Sequence, residues 1–353
     1  MSKVRIGFVG VGGMGQMAHL RNYVTIDDCQ VVALAEVRQE TGKLVAERYG
    51  IPKVYADHKA MLAAEKLDAI VAPQPFQNHA ALLGDLYPAV KFLLTEKPLA
   101  VAPEAAQKLV AQAKAAGCTH MVGYHKRSDP ATMYAKKTID AWKASKQYGK
   151  MQYVRLTMPS GDWIASGFTG LLNAGDKVDG GLVSEYVNRP KDEAGGAKYD
   201  AYVRFINYYI HQVNLMRHLL GEPYRVTYAE KSGVLLAVES ESGVAGVLEM
   251  TPYRTTIDWE EAALVAFEQA YVKLALPAPL SSNRPGHVEV FTDPEGGTPV
   301  RTIPSLPWVH AMRQQAINFV NVCRGQAKPP CDAAEALQDL LVATDYINMR
   351  YGK

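Results

Sequence analysis

The chain begins with an apolar run, VRIGFVG, that leads through a glycine-rich turn directly into a segment of helical character. Gly10, Gly12 and Gly15 stand at the spacing G-x-G-x-x-G in the stretch GVGGMG. Glycine has no side chain, so a turn of this kind can be tight and can bring the backbone close to a bound group. A buried strand that passes through such a turn into a helix restricts the chain to the α/β class of folds.

Strand-like and helix-like segments alternate from this turn to about residue 125. Apolar runs such as CQVVALAEV and KFLLTEKP are separated by amphipathic segments such as QETGKLVAERYG and PEAAQKLVAQAKAAG. This alternation predicts a doubly wound parallel sheet with helices on both faces. Between Tyr224 and Thr302, short runs with two-residue periodicity instead predict a mostly antiparallel sheet.

The length of 353 residues suits two domains. We predict a Rossmann domain over residues 1–125 and an α+β domain with a large, open-faced sheet over 126–330. A C-terminal helix over 331–353 is expected to pack back on the body. Residues 160–202 are rich in Gly, Asp and Asn and are predicted to be a loop, and 207–223 are predicted to form one helix.

The bulk composition excludes several classes of partner. The 38 lysine and arginine residues are balanced by 36 aspartate and glutamate residues, which gives no electrostatic signature for nucleic acid or an anionic membrane. No apolar run is long enough to span a membrane, and the N-terminal run lacks the pattern of a signal peptide. The four cysteines form no CxxC pair, so we predict no metal site, reduced thiols and a cytoplasmic location.

The context of the glycine-rich turn fits a dinucleotide-binding site. The turn follows a predicted strand and opens a predicted helix, and Glu36 ends the next strand about twenty positions later. A carboxylate at that point accepts hydrogen bonds from ribose hydroxyls and repels a 2′-phosphate, which favours NAD over NADP. Arg38 works in the opposite direction, because an arginine there could hold that phosphate.

The stretch TEKPLA carries a further motif at the end of the fifth predicted strand. Glu96, Lys97 and Pro98, following GxGxxG and PQPFQNHA, give the N-terminal part of the chain a sequence that resembles the Gfo/Idh/MocA family of oxidoreductases. The resemblance extends to VGYHKRSDP and the closing helices. It implies a sugar or polyol substrate, a nicotinamide cofactor, and a homodimer or homotetramer assembled through the open-faced sheet.

The same resemblance, together with the fingerprint, assigns site residues. The cofactor-binding positions are Gly10, Gly12, Gly13, Met14, Gly15, Glu36, Arg38, Pro75, His79, Glu96 and Lys97, and the substrate-binding positions include Tyr124, His125 and Arg127. Lys97 matches the family's catalytic or substrate-positioning lysine. Its place at the carboxyl end of a parallel strand, where ligands bind in open α/β sheets, supports this role independently.

The helix over 207–223 resembles the family's Asp-x-x-x-His-x-x-Asp helix, with both aspartates replaced. Asn207, His211 and Asn214 keep the spacing on one arc of the helix. Alcohol oxidation needs a proton acceptor with a pKa near neutral, so we assign acid–base or hydroxyl-binding chemistry to His211, and positioning to the two asparagines. The alternative is that this polar stripe is simply the solvated side of an amphipathic helix.

Trp163 is assigned to substrate, because it precedes an enlarged loop whose aromatic, Asn and Arg residues suit a carbohydrate. That loop could equally serve as a contact between subunits. The leading hypothesis is an enzyme that transfers a hydride between NAD and a ring carbon of a sugar, glycoside or cyclitol. Two alternatives stay open: redox-neutral cleavage or rearrangement of a glycoside by tightly held NAD, and a non-catalytic NAD-binding regulatory protein.

Overall fold

The computed structural model describes residues 2–178, 182, 184–251 and 253–352, with no side-chain description at 187 and 188. The chain divides into two compact units. Unit 1 consists of Met1–Tyr124, Ser166–Arg189 and Met312–Leu340, and unit 2 consists of His125–Ala165, Pro190–Ala311 and Leu341–Lys353.

The first sheet lies in unit 1. Its strands are β1 (Val4–Val9), β2 (Cys29–Ala35), β3 (Val54–Tyr55), β4 (Ala69–Ala72), β5 (Phe92–Thr95) and β6 (Thr119–Val122). They are all parallel and stand in the order β3-β2-β1-β4-β5-β6. The order reverses direction between β1 and β4, which is the point where open α/β sheets bind ligands.

The second sheet lies in unit 2. Its strands are β7 (Met151–Thr157), β8 (Tyr224–Ala229), β9 (Leu235–Ser240), β10 (Ala245–Glu249), β11 (Ala262–Phe267), β12 (Ala270–Ala275), β13 (His287–Thr292) and β14 (Val300–Thr302). The order is β14-β13-β12-β11-β7-β10-β9-β8, and β7 and β10 form its parallel pair. The predicted combination of a doubly wound parallel sheet with a mostly antiparallel sheet is confirmed.

Helices connect and cover these strands. They are α1 (Arg21–Tyr23), α2 (Gln39–Tyr49), α3 (His58–Ala64), α4 (His79–Leu86), α5 (Pro103–Ala115), α6 (Pro130–Ser145), α7 (Glu193–Tyr208), α8 (Ile210–Leu220), α9 (Ala311–Cys323) and α10 (Ala333–Tyr351). A π-helical turn, Gly15–Leu20, runs directly into α1. Within the described ranges, no helix combines the length and apolar character that crossing a membrane requires.

The predicted single helix over 207–223 is wrong. Asn207 belongs to the end of α7, whereas His211 and Asn214 belong to α8. The interruption falls at Tyr209, whose backbone carbonyl accepts from the N–H groups of residues 212 and 213. The side chain of Tyr209 is buried and its hydroxyl donates to the carbonyl of Met250, a tertiary bond that the local periodicity cannot reveal.

The end of the chain also departs from the predicted ranges. The sequence suggested continuous domains over 126–330 and 331–353, but unit 1 includes Met312–Leu340. The reason lies in packing, because Phe319 and Val320 of α9 are buried in the same apolar core as the strands of the first sheet. Just before α10, the carbonyl of Cys331 accepts from the N–H of Val122 in β6.

His120 of β6 is buried within the first sheet. Its Nδ1 lies 3.0 Å from the Tyr87 hydroxyl and its Nε2 lies 2.9 Å from the Thr95 hydroxyl. Burial, together with the charge of the neighbouring His79, lowers the pKa of His120 from 6.5 to about 3. The folded protein therefore holds this histidine neutral at pH values where the unfolded chain protonates it.

Replacing His120 by glutamine is expected to weaken the pH dependence of stability in mild acid. His120 contributes stability that is fully present above the unfolded pKa and is lost as pH falls from 6.5 toward 3. From pH 6.5 to 5 this loss is about 2 kcal/mol, at about 1.4 kcal/mol per pH unit. Urea unfolding at pH 7 and pH 5 measures it. The exposed His287→Gln is the control, and an unchanged difference between the two pH values in His120→Gln would contradict the prediction.

Candidate active site

The glycine-rich turn joins β1 to the π-helical turn. Gly10 has φ +92°, and a Cβ there would lie 2.0 Å from Nε2 of Gln74. A Cβ on Gly15 would lie 2.8 Å from the carbonyl oxygen of Gly10, so the turn requires glycine at both positions. At Gly12, among the residues that the structure describes, only Nη2 of Arg38 comes within 4 Å of such a Cβ, at 3.9 Å. The backbone at Gly12 is therefore open to a pyrophosphate, and the turn fits the predicted dinucleotide.

Glu36 and Arg38 form a tight pair beside this turn. Oε1 of Glu36 accepts from Nε of Arg38 at 2.9 Å, and Oε2 accepts from the Val11 N–H at 2.8 Å and from Nη2 of Arg38 at 3.0 Å. The bond to Glu36 raises the pKa of Arg38, against the opposing effect of burial. The glutamate thus lies against the glycine-rich turn, as a ribose-binding carboxylate requires, and the charge of Arg38 is directed to it.

Glu96 connects the end of β5 to the turn before α1. Its Oε1 lies 2.7 Å from Nε2 of His19, and both side chains are buried. Burial raises the pKa of Glu96, but the hydrogen bond from His19 and the charges of His19 and Lys97 outweigh it and leave the pKa below its usual value. The other oxygen, Oε2, accepts from the Lys97 N–H at 3.3 Å. His19, which sequence reasoning missed, therefore anchors the carboxylate that fixes the backbone of Lys97.

Lys97 is itself half-buried and directly follows this strand end, with a cis peptide bond to Pro98. His79 is completely buried, and its Nδ1 lies 2.9 Å from the carbonyl of Leu99. Burial lowers the pKa of His79. This contact joins the start of α4 to the segment after Lys97, while Pro75 is exposed at the loop after β4. The assignments of Pro75 and His79 as cofactor contacts stay predictions.

A segment from outside the first 125 residues also reaches the cofactor-binding side of unit 1. We name residues 166–178 the crossing segment. The ring of Phe168 lies 3.4 Å from the position of a Cβ on Gly13. The side-chain amide of Gln16 donates to the Leu172 carbonyl at 3.0 Å and accepts from the Leu172 N–H at 3.0 Å. The loop-like composition of this segment does not predict these contacts.

In unit 2, His125 and His211 are in direct contact. Their rings meet edge to face, with centroids 4.8 Å apart and an interplanar angle of 76°. His125 is buried and His211 is half-buried at the start of α8. The contact fixes the plane of the His211 ring and leaves part of it accessible to a ligand.

The two asparagines have different surroundings. Asn214 is buried and its Oδ1 accepts from Nε of Arg127 at 2.6 Å. Asn207 is exposed at the end of α7. The structure therefore brings Asn214 together with Arg127, two predicted substrate ligands, and it places Asn207 on a different helix from His211.

A buried charge network, also missed from the sequence, lies next to His125 along the chain. Lys126 forms an ion pair with Glu261. The other carboxylate oxygen of Glu261 accepts from Nε2 of Gln212 at 2.7 Å, and Nε1 of Trp259 donates to the first at 3.3 Å. Because Gln212 follows His211 in α8, this network fixes the start of that helix. A buried pair of this kind is costly to break.

Trp163 and Tyr124 complete the predicted substrate residues. Trp163 is half-buried in a loop, and its carbonyl accepts from the Leu280 N–H at 3.3 Å. Tyr124 is buried directly after β6. Of the enlarged loop, residues 179–181 and 183 and the side chain of Asn188 lie outside the described residues. In the part of the chain that the structure describes, no group of three or more His, Cys, Asp or Glu side chains could hold a metal ion.

Comparison with known proteins places this geometry in context. Residues 4–124 match the Gfo/Idh/MocA model, described as an oxidoreductase family with an NAD-binding Rossmann fold. Myo-inositol 2-dehydrogenase from Thermotoga maritima is 23% identical over 248 residues, which cover 69% of this chain and 62% of the relative. The NAD(+) scyllo-inositol 2-dehydrogenase from Bacillus subtilis is 26% identical over 262 residues, covering 70% and 67%. The chain thus spans less than two thirds of the Thermotoga relative.

Solved structures of other proteins share this fold over nearly the whole chain. A protein from Desulfitobacterium hafniense, whose description proposes an NADPH-dependent oxidoreductase, has a TM-score of 0.76 and 16% identity, covering 98% of this chain and 95% of its own. At that identity the likeness shows the fold alone. The match over residues 4–124, the glycine-rich turn and the Glu96-Lys97-Pro98 strand end support a Gfo/Idh/MocA family oxidoreductase.

Proposed function

We propose that the protein transfers a hydride between a nicotinamide cofactor and a ring carbon of a sugar, glycoside or cyclitol. The observation that carries this proposal is the place of Lys97, which is half-buried after β5 on the same parallel sheet as the glycine-rich turn and Glu36. The inositol dehydrogenases among the relatives support the substrate class.

The reaction requires a hydride to leave carbon and a proton to leave the hydroxyl oxygen. A bound nicotinamide supplies the hydride acceptor. Lys97 hydrogen-bonds the reacting hydroxyl and takes or returns its proton, and Glu96 with His19 keeps the lysine at the strand end. His211 serves as a second acid–base group or hydroxyl ligand.

The other predicted residues position the substrate. Arg127 and Asn214 act as one hydrogen-bonded unit in this proposal. Asn207, Trp163, Tyr124 and His125 bind hydroxyls or stack on the ring. As cofactor we propose NAD rather than NADP, because Glu36 lies against the glycine-rich turn and already holds the charge of Arg38.

The direct experiment is to supply NAD with a panel of inositols and glucosides and to follow NADH by its absorbance. We expect NADH with at least one cyclitol or sugar, and none when the substrate is omitted. A protein that binds NAD but produces no NADH across a broad panel would favour the non-catalytic reading instead.

A second candidate is redox-neutral cleavage or rearrangement of a glycoside by NAD that does not leave the protein. The crossing segment favours it, because Phe168 lies against Gly13 and Leu172 is bonded to Gln16 beside the cofactor-binding turn. A segment held there slows cofactor exchange. NAD that co-purifies with the protein, and substrate conversion without released NADH, would support this candidate.

The proposals on assembly and location rest on the family resemblance. We propose a homodimer or homotetramer formed through the second sheet, whose strands β9 to β13 alternate buried residues with half-buried or exposed ones. Light scattering in solution tests the subunit count. The cysteines at 29, 118, 323 and 331 are free thiols, which supports the cytosolic location.

A further inference from the structure

Asp176 of the crossing segment lies at the beginning of α2. Its Oδ2 accepts from the Glu40 N–H at 3.0 Å and from the Thr41 N–H at 3.4 Å. Its Oδ1 accepts from the Thr41 hydroxyl, which in turn accepts from the Ala174 N–H at 3.1 Å. A carboxylate separated from this helix by about 135 positions of sequence therefore occupies the free N–H groups of its first turn.

The first turn of α2 is also the place where Glu36 and Arg38 meet. Gly42, in the same turn, packs against Glu36, since a Cβ there would lie 3.3 Å from Cβ of Glu36. Arg38 immediately precedes the helix, and its guanidinium interacts electrostatically with Asp176 as well as with Glu36. The charged form of Arg38 is thus favoured by two carboxylates at the ribose end of the dinucleotide site, by Glu36 through direct hydrogen bonds and by Asp176 through charge alone.

This arrangement removes what a 2′-phosphate would need. Phosphates bind at helix N-termini through free backbone N–H groups, and in related sites an arginine holds the 2′-phosphate. At α2 the N–H groups of Glu40 and Thr41 are taken by Asp176, and Arg38 is paired with Glu36. A phosphate that carries nearly two negative charges would have to displace a carboxylate or lie beside it.

We propose that Asp176 determines cofactor specificity by excluding the 2′-phosphate of NADP, while leaving the ribose hydroxyls of NAD to Glu36. This inference rests on the proposed nicotinamide dependence. The residue that discriminates against NADP lies outside the range 1–125 predicted for the Rossmann domain. It belongs to the crossing segment, which follows β7 along the chain. Asparagine at position 176 removes the charge and one of the two acceptor oxygens, and its remaining oxygen can still accept from the Glu40 and Thr41 N–H groups.

The test measures nucleotide binding rather than turnover. Dissociation constants of Asp176→Asn and wild type are determined by calorimetry for NAD, NADP, 5′-AMP and adenosine 2′,5′-bisphosphate. We expect NADP and the bisphosphate to bind about tenfold more tightly to the variant, as loss of one like charge at close range allows. NAD and 5′-AMP should change by less than about threefold, because neither carries the extra phosphate. The wild-type preference should also shrink at high salt, since the carboxylate is partly solvated.

Asp140→Asn is the matched control, because it removes the same charge from an exposed side chain of α6 that is paired with Lys136. It should leave all four affinities unchanged. Equal NADP affinity in Asp176→Asn and wild type would overturn the inference. NAD binding and NADH production by the same protein would leave the proposed function intact. A wild-type protein that bound none of the four nucleotides would overturn both.

Discussion

Replacing Lys97 by alanine is expected to lower kcat by about 10²- to 10⁴-fold, the range that a positioned acid–base group contributes. The affinity for NAD should change little, because the glycine-rich turn and Glu36 make their contacts without this side chain. The measurement combines steady-state kinetics on the best substrate of the panel with calorimetric binding of NAD.

Two further variants decide what Lys97 contributes. Lys97→Arg keeps a positive charge but cannot release a proton at ordinary pH, so it should be nearly as slow as the alanine variant if proton transfer is the role. Lys91→Ala, an exposed lysine just before β5, is the control for loss of a charge near the same strand. Near-normal turnover in Lys97→Ala would remove the lysine from the mechanism.

The anchoring of Lys97 shows which parts of the site depend on local sequence. The order of residues in TEKPLA was enough to predict that Glu96 and Lys97 follow a buried parallel strand. The partner of Glu96 could not be predicted, because His19 precedes it by 77 positions and is one of many polar residues on a helical segment. The strand order β1-β4-β5 places the end of β5 close to the turn after β1. This placement, which the local sequence does not specify, allows Glu96 to pair with His19.

The second sheet shows the same limit. Short runs with two-residue alternation predict strands between Tyr224 and Thr302, but the sequence of β11 has no alternation of polar and apolar residues, although β11 pairs with both β7 and β12 in the middle of the sheet. Its sequence, AALVAF, follows two glutamates and carries no turn signal, so its strand state is set by its neighbours rather than by its own pattern.

The crossing segment was the largest omission. Its bonds join Gln16 to Leu172 and Thr41 to Asp176, pairs separated by 156 and 135 positions. Gly, Asp and Asn gave residues 160–202 the composition of a surface loop, and α7 was overlooked because two glycines follow its N-terminal Asp192. Composition predicts whether a segment can be irregular, but it cannot predict which surface the segment contacts.

The surroundings of His211 in the structure differ from those that the sequence suggested. The sequence suggested that Asn207 and Asn214 flank the histidine on one continuous arc. In the structure Asn214 is engaged by Arg127, and the carboxylate of Glu261 is taken up by Lys126, Gln212 and Trp259. The ring of His125 contacts the ring of His211 edge to face, so this imidazole helps to orient the proposed acid–base group.

Replacing His211 by alanine is accordingly expected to lower kcat by about 10²- to 10⁴-fold and to remove one limb of the pH–rate profile. The half-buried ring leaves a gap on its removal, so added imidazole should restore part of the activity, which a purely structural role would not allow. Glutamine at 211 should be slow without imidazole rescue, because its side chain fills much of the gap.

The double variant Lys97→Ala/His211→Ala then tests whether the two groups serve one step. When two residues act as a unit, the loss of kcat in the double variant is much smaller than the product of the two single losses, whereas the losses of independent residues multiply. If the double variant is about as slow as the slower single variant, lysine and histidine handle the same proton. If the two losses multiply fully, His211 is a separate hydroxyl ligand. If kcat of His211→Ala is unchanged at all pH values, His211 takes no part in proton transfer and Lys97 remains the proposed proton carrier.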